Sequence, residues 1–334
     1  MISERRHAIL GLIIEHYLRT GEPIGSKTLC QLLPYSISSA TIRNEMAYLT
    51  QLGFLEQRHT SGGRVPSKAS YRYYVDNIMQ EKPISKYETD KINEALSVNS
   101  GDPERLLADA CKLLEEYSHC AAFCATLEDP YDCIQGVDLI PAGNQKAMLV
   151  MLTVGSKIKS SLINMPCALD EDFRKKFYEV SAKFLTGTPL TNVNLALIQS
   201  AVGVAGERIF DMLPALTSLC ALCNEASHSK LTLEGETNLL SHSELGSDLY
   251  KILGLLTEKK QLMELSKSFA NSNSKQLLLI GDENPIYEMK NTSTVIAKYN
   301  YECGQKAVLG VIGLRISTRW FTSLSTTSPK RIFA

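Results

Sequence analysis

Near the start of the chain, Ile9, Leu12, Ile13 and Tyr17 recur at helical spacing. That stripe predicts a half-buried helix from Ser3 to about Arg19. Ser3 is placed to cap it, and Thr20-Gly21-Glu22-Pro23 ends it, because Gly tolerates a left-handed cap and Pro cannot continue the helix. A second, short helix begins at Ser26, buries Leu29, Leu32 and Leu33, and stops at Pro34. A third is capped by Ser38 or Ser39 and carries Ile42, Met46 and Leu49 on its apolar stripe. Gly53 ends it. Phe54–Arg58 then reads as a strand, His59–Gly63 as a turn and Arg64–Pro66 as a short return strand.

Further along, residues 80–102 are polar and read as a linker. Asp102-Pro103 opens a helix bearing Leu106, Ala110, Leu113, Leu114 and Tyr117. Four strands follow between 119 and 165, then helices between about 170 and 228. A single amphipathic helix is predicted over 246–270, and strands return at Gln276–Ile280, Ser293–Tyr299 and Ala307–Ile312. Strands, then helices, then strands again describe a sheet interrupted by an inserted helical segment. The fold class is α+β, with three helices and a hairpin in front.

Composition narrows the class. A chain of 334 residues, 44% hydrophobic and 21% charged, is ordinary globular material long enough for two or three domains. No apolar run approaches the roughly 20 residues that span a bilayer, and the first residues lack the apolar core of a signal peptide. The expectation is a soluble cytoplasmic protein. Nine cysteines, an odd number in a chain this long, read as free thiols rather than a disulfide framework. Cys220-Ala221-Leu222-Cys223 lacks the second pair of a zinc site and the βαβ setting of a redox motif. Gly203-Val204-Ala205-Gly206 lacks the Lys-Ser/Thr of a phosphate loop, and Asp170, Glu171 and Asp172 favour a helix start over paired-carboxylate catalysis. No catalytic residue, metal site or cofactor is assigned, and the expectation is a non-enzyme.

The net charge of −1 is unevenly spread. Residues 1–79 hold nine Lys/Arg against six Asp/Glu, and the stretch 57–75 holds Arg58, Arg64, Lys68 and Arg72 with no acid. Such a stripe on a near-neutral protein suits either a polyanion or plain solvation. The third helix presents Ser39, Thr41, Arg43, Asn44 and Tyr48 opposite its apolar stripe. Arg can bond guanine and Asn adenine in bidentate fashion, and Ser or Thr can reach bases or phosphates. Three helices and a glycine-tipped hairpin flanked by Arg58, His59 and Arg64 form a winged helix-turn-helix. Its use for protein contacts alone stays open, as does a regulator that senses a ligand or redox state.

Four ordered blocks then carry a resemblance: Gly21–Leu29, Ser39–Met46, His59–Pro66 and Tyr71–Asp76. Together they resemble the HrcA family of bacterial heat-inducible transcription repressors, with Gly63 where the family commonly has Ala. Ile280–Pro285 and Gly304–Gly313 look like the family too. After Gly313 the likeness breaks: Leu314–Trp320 and a Ser/Thr-rich tail stand where the family has a closing helix. The resemblance implies a winged-helix DNA-binding domain (1–79), a linker (80–102), a GAF-like sheet domain in two parts (103–167 and 236–316), an inserted dimerisation domain (168–235) and an atypical tail (317–334). It also implies a homodimer on double-stranded DNA at the CIRCE inverted-repeat operator of chaperonin and DnaK operons, helped by the GroEL chaperonin. The 208–226 segment, apolar around most of its circumference, fits a dimer surface there. The expected DNA-binding residues are Ser39, Thr41, Arg43, Asn44, Tyr48, Arg58, His59 and Arg64.

Overall fold

The computed structural model describes residues 2–57, 63–79, 85–98, 102–143, 145–242, 245–300 and 306–314. Arg58 and His59, the tip of the hairpin, Cys303 and the tail lie outside those residues.

The N-terminal unit contains α1 (Glu4–Thr20), α2 (Ser26–Leu32), α3 (Ser39–Gln51), β1 (Leu55–Glu56), β2 (Val65–Pro66) and α4 (Lys68–Asn77). Its core is Ile9, Leu10, Ile13, Ile14, Leu29, Ile42, Met46 and Leu49, joined by Tyr74 of α4. Leu10 and Ile14 take the depth expected of Leu12 and Tyr17, which are half-buried. Leu32 is exposed, whereas Leu29 and Leu33 are buried. With only seven residues, α2 turns one narrow side to the core, and the Leu32 direction falls outside it. Gly25 rather than Ser26 precedes that helix. β1 and β2 pair antiparallel, and Ile24 extends the ladder by exchanging backbone bonds with Arg64 at 3.2 and 3.0 Å. A Cβ at Gly63 would lie 2.5 Å from the Ile24 carbonyl oxygen, so the alanine that the resemblance led one to expect at this position does not fit this backbone.

The segment read as a linker contains α5 (Lys86–Ser97), started by a reciprocal capping box between Ser85 and Glu88. It packs through Leu96 and Ile92 near α6 (Pro103–Ser118). Then come β3 (Ala121–Thr126), β4 (Ile134–Pro141), β5 (Lys146–Thr153) and β6 (Ile158–Asn164). Next are α7 (Glu171–Val180), α8 (Leu195–Ala205), α9 (Ile209–Ser227), β7 (Lys230–Glu234), α10 (Asp248–Glu258), α11 (Lys260–Ala270), β8 (Gln276–Ile280), β9 (Ser293–Asn300) and β10 (Lys306–Gly313).

Strand pairing corrects the expected boundaries. β4, β5 and β6 form their own three-stranded antiparallel sheet, packed on α7, α8 and α9. The middle unit therefore begins with β4 rather than near 168. β7, expected inside the insert, pairs with β3 in a five-stranded antiparallel sheet of order β7-β3-β10-β9-β8. That sheet is covered on both faces. Ala122 and Cys124 of β3 face the core containing α6, and Ala121, Phe123 and Ala125 face α10 and α11. Every residue of β3 is buried, as a central strand between two layers requires. Gly310 sits opposite Phe123 in the ladder, and a Cβ there would lie 2.3 Å from the Phe123 ring. The helix expected over 246–270 is broken in two by Lys259, whose φ of 59° is left-handed.

Inside the middle unit, the ammonium of Lys157 lies 3.3 Å from Asp132 Oδ2, with both side chains almost wholly buried. Lys157 Nζ also donates to the Ala226 carbonyl at 2.9 Å, and Gly155 N donates to Asp132 Oδ1 at 2.9 Å. These contacts tie the start of the three-stranded sheet to the end of α9.

Candidate nucleic-acid interface

The polar face of α3 owes its position to the core behind it. Ile42, Met46 and Leu49 face α1 and α2, and the 3.6-residue period turns Arg43, Asn44 and Tyr48 outward. Ser38 caps the helix: its Oγ accepts from Thr41 N at 3.1 Å and lies 2.8 Å from Thr41 Oγ1. Thr41 is thus engaged in starting the helix and Ser39 is half-buried, whereas Arg43 and Asn44 are exposed. Among the described residues, Arg43 and Asn44 make no side-chain hydrogen bond or ion pair. Glu45, the acid beside Arg43, is taken by α1: Arg6 Nε donates to it at 2.6 Å and Arg5 lies 3.7 Å away. Among the described residues, Arg43 has no acid to pair with.

Tyr48 is placed differently from the others. The Arg6 guanidinium stacks on its ring at 3.7 Å, so one ring face is covered. Arg5 and Arg6 thereby bring two bases to the flank of α3. The helical spacing of α1 does not mark them, and only the α1–α3 packing shows where they lie.

Arg64 is half-buried, and its Nε donates to Thr50 Oγ1 at 3.3 Å. Thr50 in turn donates to the Met46 carbonyl at 2.9 Å. The guanidinium is anchored beside the last turn of α3 rather than held free on a hairpin. Arg58 and His59 lie outside the described residues. Of the eight expected site residues, α3 brings Ser39, Thr41, Arg43, Asn44 and Tyr48 together, and Arg64 joins them from β2's side.

Elsewhere, the cysteine pair of α9 is built as packing. Cys223 is buried with its Sγ 3.4 Å from Met151 Sδ, and burial pushes its thiol up to about 12. Burial likewise pushes the Cys120 thiol up to about 12. Among the described residues no group of three or more His, Cys, Asp or Glu could hold a metal ion, and no helix is long and apolar enough to cross a membrane.

A family profile described as "HrcA protein C terminal domain" matches residues 104–315. The chain is similar to "Heat-inducible transcription repressor HrcA" of Acetivibrio thermocellus, with 30% identity over 320 residues, 95% of this chain and 90% of that one. The protein of the same description from Lachnoclostridium phytofermentans is 32% identical over 317 residues, 93% of this chain and 91% of its own. In fold, the chain matches a crystal structure described as that of a hypothetical protein, with a TM-score of 0.75 and 20% identity, covering 100% of this chain and 98% of the other.

Proposed function

The chain belongs to the HrcA family of heat-inducible transcription repressors, and on that premise we propose that it represses by placing α3 in the major groove of an inverted-repeat operator. It is a repressor and not an enzyme. The observation that carries the reading is the freedom of Arg43 and Asn44: two exposed side chains, side by side on α3, with no protein partner among the described residues. These are the residue types that make bidentate bonds to guanine and adenine. Ser39 and Thr41 stand at the entrance to the helix, where their backbone and hydroxyls can meet phosphate. Tyr48, stacked by Arg6, flanks them. Arg58 and His59 would reach backbone or minor groove from the hairpin, and Arg64 would brace α3 against it. In this reading residues 1–79 are a winged helix-turn-helix.

The five-stranded sheet, with helices on both faces, is the GAF-like domain, and the middle unit is its insert. We place the homodimer contact on that insert. Most of the apolar side of α9 is used within the unit: Ile209, Met212, Ala215, Leu216, Leu219, Leu222 and Cys223 are buried there. What remains exposed is Phe210 and Leu213 at its start, Leu195 and Val202 on α8, and the outer row Ile140–Met148–Leu162 across β4, β5 and β6. The family resemblance supplies the operator, CIRCE, and the partnership with the GroEL chaperonin.

Footprinting on a duplex carrying the inverted repeat tests the reading. Arg43→Ala is expected to lose about 1–3 kcal/mol of operator affinity and to relax preference at one base pair per half-site. A folded Arg43→Ala protein with unchanged affinity and base preference would remove Arg43 from the reading role, and the same experiment on Ser39, Thr41 and Asn44 then shows whether α3 reads DNA at all.

A further inference from the structure

Two blocks that the DNA-contact surface does not use meet each other in space. α4, which carries Tyr71–Asp76, lies against β8 and the turn Gly281–Glu283. Lys68 Nζ donates to Asp282 Oδ2 at 2.9 Å. Arg72 Nε donates to Glu283 Oε1 at 2.9 Å, and a terminal nitrogen of the same guanidinium bonds both Glu283 Oε2 and, at 2.7 Å, the Leu278 carbonyl. The acidic turn is held by its own hydrogen bonds. Gly281 takes a φ of +58°, and the buried Asn284 amide nitrogen lies 3.1, 3.2 and 3.1 Å from the carbonyl oxygens of Gly281, Met289 and Thr292. Tyr71 and Val75 pack against both the N-terminal core and the sheet core, so α4 belongs to two units at once.

Lys68 and Arg72 are half of the bases in the acid-free stretch 57–75. The turn pairs with both, Arg72 also lying 3.5 Å from Asp76 on α4 itself, and the side chains of Lys68, Arg72, Asp282 and Glu283 keep contact with water, at 33–64% exposure. The Asp282 carboxyl is held below the usual aspartate range by the hydrogen bond from Lys68. For Glu283, burial works the other way, but bonds from Arg72 and from the Ile280 backbone outweigh it and hold the carboxyl low. Exposed pairs of this kind hold only weakly against water. Duplex DNA, with a phosphate charge about every 1.7 Å of axis, is a strong rival for the same two bases.

We propose that the Asp282–Glu283 turn is an internal competitor of duplex DNA: docked on α4 it withholds Lys68 and Arg72 from phosphate, and released it yields them. This rests on the DNA-binding reading above. Binding is measured with a random-sequence duplex, which needs no operator, and docking is measured separately by hydrogen exchange in α4 without DNA. The double variant Asp282→Asn/Glu283→Gln is expected to bind the duplex roughly three- to tenfold tighter at low salt. Its plot of log affinity against log salt should be steeper by about one to two. Its α4 amides should exchange faster, and the charge swap Arg72→Glu/Glu283→Arg should restore wild-type exchange. Duplex affinity that is unchanged or weaker in the acid-free variant overturns the competition, as does unchanged exchange in α4. If wild type and variant alike bind no duplex, the DNA reading falls and the competition with it. If wild type binds and the variant binds no tighter, only the competition falls.

Discussion

Two of the contacts by which opposite charges join distant parts of this chain are built in opposite ways. In the middle unit, Asp132 and Lys157 are 1% and 4% exposed. Where α4 meets the acidic turn, Lys68, Arg72, Asp282 and Glu283 all touch water. A buried pair cannot be half-removed without stranding a charge, so it locks its unit shut. An exposed pair costs little to open, so it adjusts how two folded units sit without deciding whether either folds. The middle unit thus has a buried pair inside it and the α4 contact has exposed ones, while the half-buried Lys159–Glu104 pair at 3.0 Å, between β6 and α6, lies between the two extremes.

The hardest test of that contrast is Lys157→Met. It leaves the Asp132 carboxylate buried without its cation and should cost about 3–5 kcal/mol in denaturant unfolding. The double variant Asp132→Leu/Lys157→Met should recover most of that loss, because a well-packed apolar pair avoids the burial cost of both charges. Next comes Gly155→Ala, whose Cβ would stand 3.0 Å from Asp132 Oδ2. Crowding of this sort should cost about 1–3 kcal/mol by the same assay. In the N-terminal unit, Ser38→Ala removes the α3 cap and should cost about 1 kcal/mol, read as an earlier thermal transition of residues 1–79. The smallest effect belongs to the exposed docking. Asp282→Asn should leave global stability nearly unchanged while speeding exchange in α4. Acid should do the same to wild type. Both carboxyls of the turn are held below their ordinary values of about 3.9 and 4.3. Their contribution is therefore complete above those values and is lost as pH falls through the lowered ones.

What the sequence made legible follows from how local each feature is. The three N-terminal helices, the Ser38 cap and the outward set Arg43, Asn44 and Tyr48 depend on neighbours within one or two turns, and the period displays them directly. The capping box at Ser85 and Glu88 was equally local but sat in a polar stretch, where composition argued for a linker. The partition of strands into two sheets was not legible. β3, buried throughout, and β4, which alternates, follow one another in the chain, yet β3 pairs with β7 and β10 while β4 pairs with β5. Alternation shows that a strand is buried, not which strand lies beside it. Charged residues mislead in the same way. Nothing in the sequence sets Asp132 and Lys157 apart, because such side chains are rarely buried. Lys68 and Arg72 read as a free basic stripe because their acids lie more than 200 residues away. At the candidate site, the same blindness hid Arg5 and Arg6, which reach α3 only through the α1–α3 packing.

The order of strands in the five-stranded sheet also sets a timetable for manufacture. β3 is made about 180 residues before β10, its neighbour on one edge, a wait of roughly ten to forty seconds at ordinary rates of synthesis. The middle unit is contiguous and can close on itself during that time. β7 then arrives to cover one edge, and α10 and α11 follow to cover a face. The other edge of Ala121–Thr126 stays open until the last strand of the sheet emerges. An unpaired apolar edge is a template for sticking to other chains. The yield of this protein in the cell is therefore exposed to whatever shields nascent strands during those seconds.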